Sequence, residues 1–148
     1  MLAITFLGKH QFLIPANLLL IGVFAFFSSR PWYATRILVM SLSSLLLMFV
    51  LKQLFHRKRP LKPLLFEAKG KSFPSGHAIM SVCFYGLLCY MLVNAGVSPL
   101  LKTVAIICTA ILVLLISFSR IYLQVHYASD VLAGLIIGMS WLVISLNI

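Results

Sequence analysis

Residues 101–118 read LKTVAIICTAILVLLISF, residues 119–130 SRIYLQVHYASD and residues 131–148 VLAGLIIGMSWLVISLNI. The two outer stretches are 18 residues each and contain one charge between them, Lys102, while the twelve residues joining them hold Arg120, His126 and Asp130. At the helical rise, such a stretch is about 27 Å long, close to the thickness of a bilayer's hydrocarbon core. This pattern is that of a membrane hairpin with its polar chemistry gathered at one turn. Three further stretches are nearly free of charge: Gln11 to Ser29, Trp32 to Leu51 and Ala78 to Val97. The whole chain is 62% hydrophobic and 9% charged, with a mean hydropathy of +1.10, far more apolar than a water-soluble domain of 148 residues. The fold class read from this is all-α: a multi-pass transmembrane bundle of about five helices, one membrane-embedded domain over residues 1–148.

The breaks between stretches carry turn signals. Arg30-Pro31 follows the first and Asn94-Ala95-Gly96 the third, while Ser98-Pro99 reads as a helix N-cap followed by the first helical position. The first stretch is too long for a cleaved signal peptide and has no basic region before it. Cys83 and Cys89 are six residues apart on one expected helix, about 9 Å, too far for a disulfide, and with Cys108 they read as small core or lipid-facing residues. Trp32, Tyr33 and Trp141 read as membrane-interface anchors, and the four-residue spacing of Gly134 and Gly138 as a helix-packing face. Asn17, inside the first stretch, has no assignable role.

Charge limits the chemistry. Twelve Lys and Arg face only two acids, Glu67 and Asp130, giving a net charge of +10. Magnesium, calcium and two-metal sites need several carboxylates, and glycosidases usually need a pair, so neither can be assembled. No metal and no cofactor are expected. A basic excess suits nucleic acid, anionic headgroups or a phosphorylated substrate, and the apolar composition argues against nucleic acid.

The connector from Lys52 to His77 holds Lys52, Arg57, Lys58, Arg59, Lys62, Lys69 and Lys71. On charge alone it could merely attract anionic lipid. Topology strengthens the case: with alternating helices, Lys52 and Arg59, Ser75 to His77, Ser119 to His126, and Asp130 all fall at one membrane face. Ionisable residues at the edge of the bilayer are functional candidates because burying them is costly. Lys52 and Arg59 offer two cations. Pro74-Ser75-Gly76-His77 opens a helix whose free N–H groups form an anion cradle, with Ser75 able to cap and Gly76 allowing close approach. His126 and Asp130 share a face if the helical turn continues between them, and a carboxylate there can orient the imidazole.

These residues resemble the type-2 phosphatidic acid phosphatase family, whose members share K-x6-R-P, P-S-G-H and S-R-x5-H-x3-D. Here the motifs read KQLFHRKRP, PSGH and SRIYLQVHYASD, complete and in order, and the resemblance spans roughly Lys52 to Gly138. It implies a lipid phosphatase in which His126 is the nucleophile, Asp130 orients it and His77 is the general acid and base. Lys52, Arg59, Ser75, Gly76 and Arg120 would hold the phosphoryl oxygens. The implied substrate is a lipid phosphate or polyprenyl diphosphate, hydrolysed without metal through a phosphohistidine. A phosphotransferase between lipids and a non-catalytic basic scaffold are the alternatives. His10 and His56 match no motif, and Ser119 is as readily a packing residue as a phosphate ligand. The family commonly has six membrane helices against the five counted, so the family's first helix is the one expected to be absent. The resemblance also implies a bacterial plasma-membrane protein with its site facing the periplasm or exterior. Counting Lys and Arg gives the opposite orientation, because the site side carries nine against Arg30, Arg36 and Lys102 on the other. Cations that bind substrate serve a purpose other than topology, so the orientation expected is the one the resemblance implies.

Overall fold

The computed structural model describes residues 1–60, 64 and 70–147; Lys62, Glu67, Lys69 and Ile148 lie outside the described residues. The elements are α1 (Leu2–Phe6), α2 (His10–Phe26), α3 (Trp32–Leu54), α4 (Gly76–Val93), α5 (Pro99–Tyr122) and α6 (Ala128–Asn147). The helices α3 to α6 are long and apolar enough to cross a membrane, and α2, at 17 residues, is at the lower end of spanning length. The five expected stretches thus correspond to α2 to α6. The first seven residues add α1, whose five residues, about 7.5 Å long, do not cross.

The element α4 is the centre of the bundle and packs on α3, α5 and α6, while α2 lies on α3 and α1 on α5. Its buried residues run all round the helix, Ile79, Val82, Cys83 and Leu87 among them, as expected of a helix enclosed by others. The outer helices instead present Phe49, Leu114 and Ile136 outward, each more than half exposed. An apolar belt of that kind needs lipid against it.

Glycines set the closest contact. A Cβ on Gly134 would lie 2.8 Å from the Ser75 carbonyl oxygen and 2.9 Å from Ala78 Cβ, and one on Gly138 would lie 3.0 Å from Val82 Cβ. The α6 backbone therefore rests directly on α4, and the Ser75 N–H donates to the Asp130 carbonyl at 2.9 Å. This contact ties the start of α4 to the start of α6, the two places where the second and third motifs lie. At α5, the Ser98 hydroxyl accepts from the Leu101 N–H with Pro99 at the first position, as its sequence predicts.

Two anchor assignments change. Tyr33 is a core residue, 3% exposed and edge-on to Phe24 at 5.4 Å, because the end of α2 covers it. Trp141 donates its indole N–H to Ser43 at 3.0 Å, joining α6 to α3. Trp32 remains outward, beneath the Arg36 guanidinium. Cys83 is buried and Cys108 exposed on the outer face of α5, matching the core and lipid-facing reading.

Candidate active site

Four helix ends meet around a cavity of about 300 Å³ lined by Lys52, Arg59, Gly76, His77, Arg120 and His126. The two histidines, from different motifs, face one space. Lys52 lies in the last turn of α3, His77 in the first turn of α4, Arg120 in the last turn of α5, and His126 in the connection to α6. The expectation that the motifs converge at one membrane face therefore holds.

Two of the three cations are fixed by backbone. The Lys52 ammonium donates to the Lys71 and Pro74 carbonyls at 2.9 and 3.1 Å, closing the segment before α4 onto the end of α3. Arg59 donates through Nε to Gly70 O at 3.1 Å and through Nη1 to Val125 O at 3.0 Å. Burial lowers the Arg59 guanidinium from its ordinary range, and Asp130 opposes that shift. Fixed in this way, these groups need little rearrangement to meet an anion.

His126 is 4% exposed, with Arg59 Nη1 at 3.3 Å from its Nε2. A guanidinium nitrogen only donates, so Nε2 is the accepting nitrogen and the ring proton belongs on Nδ1. Burial pushes the His126 pKa down to about 3, reinforced by Arg59, then Arg120, then Lys52. At neutral pH the imidazole is uncharged, with its Nε2 lone pair directed into the cationic pocket.

Asp130 is fully buried but does not line the cavity. The helical turn from His126 to Asp130 does not continue, because α6 begins at Ala128. Instead the carboxylate reaches back over the start of α6: Oδ2 accepts the Tyr127 N–H at 3.0 Å and lies 3.6 Å from His126 Nδ1. That separation is electrostatic contact rather than a hydrogen bond. The Oδ1 atom is bonded to Arg57 Nη1 at 2.8 Å, a partner that the motif pattern does not single out.

Ser75 sits at the N-cap position of α4 without a side-chain cap bond, and its fully buried hydroxyl has no hydrogen-bond partner among the described residues. Its capping role is thus corrected, because its N–H is held by Asp130 O and the side chain turns inward. Gly76 does line the cavity, and a Cβ there would press on Met48 and stand 3.9 Å from Lys52 Cε. The α4 N-terminus therefore opens toward the phosphate-sized space, where unsatisfied N–H groups favour an anion. Ser119 is fully buried, bonded to Thr5 and to Ile116 O, which is the packing alternative.

The N-terminal segment contributes what motif reading misses. Thr5, 2% exposed, accepts from Arg120 Nη1 at 3.1 Å. Gly8 lines the cavity beside His77, where a Cβ would come within 3.1 Å of the ring. His10 lines it too, although it matches no motif, whereas His56 is exposed. Below the cations the cavity continues as an apolar groove between α2 and α3, past Leu13, Leu18, Leu38 and Leu45. Lys52 and Leu38 are 14 positions apart on α3, about 21 Å along it. Asn17 sits in this groove, its amide spent on Leu13 O and on the Ser41 hydroxyl, so its polarity is satisfied internally.

Residues 33–148 match the PAP2 superfamily. Phosphatidylglycerophosphatase B of Bacillus subtilis (strain 168) is 36% identical over 143 residues, which cover 94% of this chain and 68% of that protein. Among solved structures, a transmembrane PAP2-type phosphatidylglycerolphosphate phosphatase from Bacillus subtilis superposes with a TM-score of 0.87 at 33% identity, over 98% of this chain and 72% of that one. Aquifex aeolicus LpxE superposes with a TM-score of 0.74 at 26% identity, over 99% of this chain and 82% of that one. With its motifs gathered at one end of a membrane bundle, the chain is an integral membrane protein that belongs to the PAP2 superfamily.

Proposed function

We propose that this protein hydrolyses a terminal phosphate from a membrane lipid, using His126 as nucleophile and no metal ion. One observation carries the reading: the two motif imidazoles and three cations share a cavity that runs on into an apolar groove whose Leu18 and Leu42 are exposed on the outside of the bundle. The cationic end suits a phosphoryl group and the groove an acyl or prenyl chain. The relatives named for phosphatidylglycerophosphate support a glycerophospholipid monoester as the substrate class.

In the first step the His126 Nε2 lone pair attacks phosphorus in line with the departing oxygen. The P–O bond to the lipid breaks, and His77, having taken up the proton that the phosphate monoanion brings in, gives it to the leaving oxygen, releasing a lipid alcohol. The phosphorylated imidazole carries its proton on Nδ1 and a positive charge, which the Asp130 carboxylate at 3.6 Å stabilises. In the second step His77 removes a proton from water, the hydroxide attacks phosphorus, and the P–N bond breaks to return the lone pair to His126. Arg59 moves from Nε2 to a phosphoryl oxygen when substrate enters, joining Lys52, Arg120 and the Gly76 N–H around the transition state. Such preorganised charge is usually the largest catalytic contribution. Ser75 acts from behind this shell. A basic scaffold would need the cations but leaves the paired imidazoles without a purpose. The site faces the exterior or periplasmic side of a bacterial plasma membrane, which tags on both termini would test.

The test is phosphate release by purified protein from a panel of lipid monophosphates and diphosphates with chelator present. Activity that persists in chelator and disappears in His126→Ala is the expected result. Loss on chelation, or an active His126→Ala, rejects this mechanism.

A further inference from the structure

The segment Phe55 to Pro60 is not helical, and its two arginines, two residues apart, reach adjacent parts of the chain: Arg59 the connection between α5 and α6, and Arg57 the first turn of α6. Side chains at i and i+2 of an extended chain share a side, so the Arg57-Lys58-Arg59 order delivers two guanidinium groups to adjacent targets. Arg59 goes to His126. Arg57 goes behind it: Nη1 donates to Asp130 Oδ1 at 2.8 Å and to Ser129 Oγ at 2.7 Å, and the guanidinium lies over the Tyr127 ring at 4.3 Å. It does not line the cavity.

This arrangement matters for Asp130. The carboxylate is fully buried, and its Oδ2 is held by the Tyr127 N–H and faces His126 Nδ1. Without a partner on Oδ1, a buried carboxylate would lack half of its hydrogen bonding and be free to rotate away from the imidazole. Arg57, itself part-exposed, supplies that partner from the surface side. It also shares the negative charge that Asp130 presents to the ring. Among the described residues, the other charged or titratable groups facing the pair are Lys52 from α3, His77 from α4, Arg120 from α5 and Arg59, with His10 of α2 on the same cavity. None of these is hydrogen-bonded to Oδ1.

We propose that Arg57 is a positioning residue of the reaction: it holds the Asp130 carboxylate in register with the nucleophilic imidazole and touches no substrate. This rests on the nucleophilic role proposed for His126. The two remain separable, because an inactive parent rejects that role, whereas an active parent lets Arg57 be judged alone.

The experiment measures kcat, KM and thermal stability for the parent, Arg57→Ala and Arg57→Lys on a micellar lipid monophosphate at neutral pH, with and without millimolar guanidinium. Arg57→Ala lowers kcat by about thirtyfold, a loss typical of a misplaced catalytic group, and leaves KM within about twofold. Arg57→Lys keeps a cation but not the planar guanidinium that lies over Tyr127 and sets Nη1 between Asp130 and Ser129, so it falls between the two. Free guanidinium reaches the part-exposed site and restores kcat in Arg57→Ala without changing the parent. A rise in KM at constant kcat would make Arg57 a substrate contact and overturn the proposal. So would a kcat within twofold of the parent, or a loss of stability and activity that guanidinium does not rescue.

Discussion

Replacing Thr5 by valine removes one hydroxyl from a residue far in sequence from every motif, yet it is expected to impair catalysis. Thr5 is 2% exposed, and its hydroxyl stands between Ser119 and Arg120 Nη1, 3.1 Å from the latter. Arg120 is itself 8% exposed, and its Nε has no partner among the described residues. Valine keeps the shape but leaves a second guanidinium nitrogen without an acceptor. A hydrogen bond to a buried charged group contributes about 1.5–3 kcal/mol. If that bond holds Arg120 toward the transition-state phosphoryl, its loss lowers kcat/KM by about ten- to a hundredfold, at roughly 1.4 kcal/mol per factor of ten. Thr5→Ser retains the hydroxyl and should stay within about threefold of the parent by the same arithmetic. Phosphate release from a lipid monophosphate in mixed micelles measures both variants. Parent-like activity in Thr5→Val, with Arg120→Ala inactive, would refute the claim that α1 orients this arginine.

Three other outcomes follow from the same geometry. Leu45→Trp, placed in the groove between α2 and α3, should cut kcat/KM for a long-chain lipid phosphate by about tenfold or more, yet leave p-nitrophenyl phosphate within about twofold, since only remote binding energy is lost. Gly134→Val forces a side chain against the Ser75 carbonyl, separating α6 from α4, and should lower the melting temperature, overpacking of this kind costing about 1–3 kcal/mol. The third is acid sensitivity: the His126 pKa is about 3 in the folded protein and about 6.5 when unfolded, so between these values the unfolded chain binds more protons. Stability therefore rises with pH across that window and is lost as pH falls from 6.5 toward 3, by about 2 kcal/mol at pH 5. Melting curves in detergent at pH 7 and pH 5 should show this drop in the parent and a smaller one in His126→Gln; equal drops would contradict the assignment.

The long apolar stretches made the bundle legible, because spanning length and absence of charge are properties of composition that tertiary packing does not override. The glycine pair on α6 was legible for a similar reason: a four-residue spacing of missing side chains means a close neighbour. The motif residues were legible as a set because their positions at helix ends implied a common face before any coordinates. Arg57, Thr5 and Gly8 were not. Thr5 and Gly8 belong to an N-terminal segment with no periodicity, and their partners lie 115 and 69 positions away in Arg120 and His77. Arg57 had a readable signal, the R-x-R spacing before Pro60, but one cation among seven in that connector is indistinguishable without knowing where the carboxylate turns. Tyr33 was misread because an aromatic next to an interfacial Trp looks like an anchor until the end of α2 is seen to cover it. The His126–Asp130 spacing suggested a shared helical face; proximity was retained through a carboxylate folding back over the start of α6.

The most direct test of the central claim is to trap the phosphorylated enzyme. The His77→Gln variant, given p-nitrophenyl phosphate, loses the base for hydrolysis, while a leaving group this good needs no proton. The phosphoenzyme should therefore accumulate, survive an alkaline quench and appear by mass spectrometry as one phosphoryl group on His126. Phosphate on any other residue, or release of nitrophenol without a covalent intermediate, would contradict the account.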